Sequence, residues 1–200
     1  PILPQGLPQG GREVIEGVES FGISQYFTVA MSFLFALFIA STVAMKTTTE
    51  KRERVFNRII LTNSNPISFL MGKTISTFCF VWLQLMIVFT VSHLLLDVFE
   101  GKAMAFWFGA IIIITCFSLA VAGLSAVFTT ITLIINNTDA ANGAFNLVIM
   151  LFAAVGGNFF PTQGLPEWLQ KIGEWTPNGL SLSVFMQWTQ FGDFQTLIIP

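Results

Sequence analysis

The polar and apolar positions of this chain fall into long blocks with few interruptions. Residues 26–45, YFTVAMSFLFALFIASTVAM, carry no charge at all. At 1.5 Å per residue, that block makes a helix of about 30 Å, one hydrocarbon thickness of a bilayer. Within it Ser32, Ala36, Ala40 and Ala44 recur every four residues and predict a smooth face for close helix packing. A second span is predicted over 74–96, and the polar turn 97–102 separates it from a third over 106–128. From Ala103 to Pro161 the one charged residue is Asp139. That run is too long for one helix, and it is expected to break where Asn136, Asn137, Thr138, Asp139 and Asn142 cluster. A fourth span over 141–160 follows. The pattern therefore predicts an all-α membrane protein, a polytopic bundle of transmembrane helices.

The blocks are interrupted most strongly at 46–73, KTTTEKRERVFNRIILTNSNPISFLMGK. Of nine Lys and Arg in the chain, six lie here: Lys46, Lys51, Arg52, Arg54, Arg58 and Lys73. Thr47 followed by Glu50 has the form of a capping box, so a helix is expected to begin at Thr47 and run to about Leu61. Val55, Phe56, Ile59 and Ile60 would form its apolar stripe, and Lys51, Arg54 and Arg58 a basic stripe beside it. Asn65-Pro66 should break it. Such a helix either lies against anionic headgroups or docks a cytoplasmic partner. The length of the segment 46–73 favours docking, since about 28 residues exceed what a turn between neighbouring helices needs.

Composition narrows the class further. The chain is 54% hydrophobic and 10% charged, far below the charge of a soluble domain, and it holds 22 Phe. Its net charge of −2 gives no basic surface for nucleic acid. The basic segment predicts which side is cytoplasmic. Residues 1–25, the turn 97–102 and everything beyond Pro161 are then expected outside. Tyr26, Trp107, Trp168, Trp175 and Trp188 fall at or beyond the predicted outer ends, as interfacial aromatics should; Trp82 does not. After Pro161, Leu165, Trp168, Leu169 and Ile172 share one helical face, while Glu167, Gln170, Lys171 and Glu174 share the other. A short amphipathic helix on the outer surface, closed by Pro177, is expected. Whether 180–188 dips into the membrane stays open. The opening PILPQGLPQGG reads as the end of an outer loop, and the last residues, 191–200, as the start of another span. The chain thus reads as an internal piece of a longer protein.

Some residues imitate other chemistry. Gly72-Lys73-Thr74 looks like the end of a phosphate-binding loop, but Ile67 stands where the first Gly is needed, and no strand precedes it. Ser125 with His93 could suggest an intramembrane hydrolase, yet the two are predicted at opposite membrane faces and cannot meet. Cys79 and Cys116 have no metal-ligand spacing. Asp139 is either a helix N-cap or an intramembrane functional carboxylate, and its loop-like neighbours favour the cap.

Two stretches resemble the type-2 ABC transporter permease family. Glu53-Arg54, Arg58-Ile59-Ile60, Pro66-Ile67-Ser68 and Gly72-Lys73 follow the order of that family's segment between its second and third membrane helices. Gly156, Gly157, Phe160, Pro161, Leu165, Pro166, Trp168, Leu169 and Pro177 are similar to its segment after the fifth helix. Val55-Phe56 stand where the family often has Gly-Thr, and the run from Arg58 to Pro66 is longer than usual. The resemblance implies that the four spans are the second to fifth of six. It also implies a transport subunit without enzymatic activity, binding no cofactor of its own, with ATP and Mg on a separate cytoplasmic ABC ATPase. Glu50, Lys51, Glu53, Arg54 and Arg58 would couple the two. A second permease subunit, identical or not, would complete the transporter in the cell membrane, of bacterial plasma-membrane type. The cargo would be an exported amphiphile such as a drug, antibiotic or lipid. A secondary transporter or channel not coupled to ATP is the alternative reading.

Overall fold

The computed structural model describes residues 23–55, 61, 66–96, 104–135, 137–160 and 166–191. Among them every regular element is a helix: α1 (Ile23–Arg52), α2 (Pro66–Leu96), α3 (Met104–Ile134), α4 (Thr138–Val155), α5 (Glu167–Glu174) and α6 (Pro177–Phe191). Three of them, α1 to α3, are long and apolar enough to cross a bilayer. The fourth, α4, is apolar but only 18 residues long. The chain is a membrane-embedded helical bundle.

The helices overrun the predicted spans mainly at one end. The first predicted span closes at Met45, yet α1 runs on through Arg52. No helix starts at Thr47, so the capping box is not formed. The Thr47 hydroxyl instead donates to Val43 O one turn back (2.9 Å), and nothing between Met45 and Arg52 is a helix breaker. Pro66 opens α2, where its missing N–H costs nothing. Residues 56–60 and 62–65 of the basic segment, Arg58 included, lie outside the described residues.

α1 is the central helix: it packs on α2, α3, α4 and α6. Its Ser32, Ala36, Ala40 and Ala44 are buried at 5%, 0%, 0% and 0% exposure, so the small-residue face lies wholly inside the bundle. α2 is peripheral, with Phe80, Leu83, Ile87 and Leu94 turned outward. Because hydrocarbon is as apolar as Leu, outward side chains of this kind suit contact with lipid or with another apolar helix.

The core is aromatic. Phe33 of α1 meets Phe117 of α3 at 4.5 Å between ring centroids, and Phe89 of α2 stacks on Phe185 of α6 at 5.1 Å. Phe185 also meets Phe33 and Phe106 edge-on and is fully buried. Trp188 donates from its indole N–H to Phe106 O (3.0 Å). The bare Cα of Gly109 makes room for that indole, with which a Cβ would overlap. All these partners of α6 lie in the halves of α1, α2 and α3 farthest from the basic segment. Thus α6 dips into the bundle without reaching the basic end. A further span over 191–200 falls almost wholly outside the described residues.

Candidate functional site

The basic end of the bundle is assembled from the last turn of α1. Successive residues on a helix are rotated by about 100°, and here three consecutive side chains reach three different helices. The carboxylate of Glu50 pairs with Lys73 near the start of α2 at 2.5 Å. Lys51 Nζ donates to the carbonyls of Thr132 (3.2 Å), Leu133 (2.8 Å) and Ile135 (2.9 Å) at the end of α3. Arg52 Nη2 meets both carboxylate oxygens of Asp139 in the first turn of α4, at 3.0 and 3.1 Å. Lys73 also donates to the buried Thr47 hydroxyl at 2.6 Å and lies 5.0 Å from the Phe69 ring centroid.

These ties differ in burial. The side chains of Lys73 and Glu50 are 15% and 34% exposed, whereas Arg52 and Asp139 are 64% and 78% exposed. An exposed pair of the latter kind contributes about 0–1 kcal/mol, and a partly desolvated one more. Further up the same seam, Ser41 donates to Asn146 (2.7 Å) and Asn142 to Thr48 (3.4 Å), so α1 and α4 are joined by polar contacts over several turns.

Beyond Arg52 the helix ends at once. Arg54 has a φ of 57°, the left-handed region usually left to Gly, and its N–H donates to Lys51 O (3.2 Å). Glu53 and Arg54 are both exposed.

The residues expected from sequence to meet a partner therefore divide. Glu50 and Lys51 turn inward onto α2 and α3, while Glu53 and Arg54 face outward. Asp139 is not the N-cap of α4: Asn137 is, its side-chain oxygen accepting from Ala140 N (3.2 Å). Asp139 instead stands in the first turn, where the helix dipole favours a carboxylate, and pairs with Arg52. The imitative motifs are absorbed by packing. Lys73 is occupied as described, Ser125 meets Thr77 (3.2 Å), and His93 meets Trp107.

The opposite end holds the Gly156–Pro177 motif. Gly157 sits at φ 84°, and the turn it makes brings Asn158 inward. Asn158 is fully buried; it donates to Ala30 O of α1 (2.5 Å) and accepts from Asn178 of α6. Asn178, also fully buried, donates to Phe152 O as well (2.8 Å), and a Cβ on Gly156 would collide with its amide. Tyr26 closes the knot, its hydroxyl donating to Gly157 O and lying 3.3 Å from Phe160 O. Pro166 precedes α5 with exposed Trp168, and Pro177 begins α6. α5 ends at Glu174, short of Pro177. Pro161 and Leu165 lie outside the described residues. Sequence reasoning singled out the glycines and prolines of this motif and missed Asn158 and Asn178. Two amides inside a motif that joins apolar segments were the available signal.

The geometry is that of a bundle of apolar helices with ionic ties at one end and a glycine–asparagine knot at the other. The family model described as ABC-2 family transporter protein matches residues 12–200, and the chain belongs to that family, that of the type-2 ABC transport permeases. No curated protein and no solved structure matches it.

Proposed function

We propose that this chain is the membrane subunit of an ATP-driven exporter, powered by a separate cytoplasmic ABC ATPase that binds at the basic end. The observation that carries this reading is the arrangement around Arg52. The end of α1 is tied to α2, α3 and α4 together, and directly beyond it Glu53 and Arg54 face outward. A protein that pushes or pulls on the outward residues moves the ends of all four helices at once. The family supports an ABC-type partner, and the excess of basic residues supports a cytoplasmic location for this end.

ATP and Mg are bound by the partner rather than by this chain. Two permease subunits, identical or not, enclose the path. The absence of charge in the apolar spans, lined with Phe and Met, suits an amphiphilic cargo such as a drug, antibiotic or lipid. Co-expression with the ABC ATPase encoded beside it should yield a detergent-stable complex that hydrolyses ATP. A permease that purifies without any ATPase, and has no ATPase gene as neighbour, belongs instead to a transporter or channel not coupled to ATP.

A further inference from the structure

We propose that Lys51 is the positioning residue that transmits movement of the basic segment to α3. The inference rests on the coupling role proposed above and assigns its transmission to one side chain. An ammonium group has three donors, and here all three are spent on Thr132, Leu133 and Ile135. Those acceptors are among the last carbonyls of α3, which lack partners within their own helix. The last turn of α3 carries no basic residue, so the cation that offsets its negative dipole end comes from α1.

Lys51 thus has no donor left for a docked protein or a lipid phosphate. Its two sequence neighbours hold α2 and α4 through single ion pairs, whereas Lys51 holds α3 through three bonds. The left-handed turn at Arg54 folds back onto it, with Arg54 N bonded to Lys51 O. Displacement of the chain beyond Arg54 is therefore delivered at Lys51, and from there to the end of α3.

The test is hydrogen exchange on the permease–ATPase complex in lipid nanodiscs, with and without ATP and vanadate. In the native complex, nucleotide should change amide exchange both at 46–55 and at 129–135. In Lys51→Met the ATPase should stay bound and the change at 46–55 persist, while the nucleotide-dependent change at 129–135 disappears. Basal exchange at 129–135 should then be faster by at least about tenfold, since one lost charge-assisted bond alone is of that scale. Lys51→Arg, which can still cap carbonyls, should restore the nucleotide response.

A nucleotide response at 129–135 that survives in Lys51→Met overturns the proposal. Loss of ATPase binding in that variant also overturns it, because Lys51 would then be a docking residue. A native complex that forms but shows no nucleotide response at 46–55 removes the coupling reading itself, and with it this inference.

Discussion

The two ends of this bundle hold their helices by different physics. At the aromatic end, Asn158, Asn178 and Phe185 are fully buried and uncharged, and the contacts join α1, α2, α3, α4 and α6 into one packed knot. At the basic end the ties are made by charged side chains and are partly exposed. Buried amides and rings are held by packing and by the cost of leaving a polar group unpaired, so that end should behave as a fixed frame. Exposed charges can exchange partners with water, salt or another protein at little cost. In a transporter, a fixed frame at one end lets the other end move.

Substitutions can break this contrast, beginning with the largest effect. Phe185→Ala removes the ring shared by Phe33, Phe89 and Phe106. It should cost about 3–5 kcal/mol, read as a large fall in the thermal midpoint of the purified permease, equal at low and high salt. A midpoint within a degree of the native one would mean that the knot is not the frame. Next, Lys73→Ala strands the partly buried Glu50 carboxylate. It should cost about 1–3 kcal/mol, the scale of a polar group left unpaired, and Glu50→Gln in the same chain should recover part of the loss. Without that recovery, Lys73 matters for some reason other than this pair. Smallest is Arg52→Ala: the exposed pair with Asp139 should be worth under about 1 kcal/mol, and 1 M salt should erase the difference from the native chain.

The same contrast explains what could be read from the sequence. The long helices were legible because membrane spans need about 20 apolar residues whatever surrounds them. The small-residue stripe on α1 was equally visible, since helical spacing alone puts Ser32, Ala36, Ala40 and Ala44 on one face. The limit of α1 was not. Thr47 and Glu50 have the form of a helix start, but Lys73, which lies near the start of α2, takes both side chains. A local pattern lost there to tertiary partners. For the same reason Lys51 looked like part of an outward basic stripe, although the end of α3 claims it. Asn158 and Asn178 were overlooked because an amide carries no charge to mark it in a polar turn. Only the fold shows that each is buried against a backbone carbonyl.

The central claim is that the basic residues that follow α1 in sequence, Arg54 and Arg58, engage an ATPase, and one binding measurement tests it directly. The cognate ABC ATPase is captured from solubilised membranes by the native permease and by the Arg54→Glu/Arg58→Glu double variant. Membrane insertion and thermal midpoint of the variant should match the native protein, while the ATPase retained should fall by roughly tenfold, as expected when charges at an interface are reversed. Hydrolysis should no longer drive transport. Full retention of the ATPase by the double variant, together with full ATP-driven transport, would contradict the account.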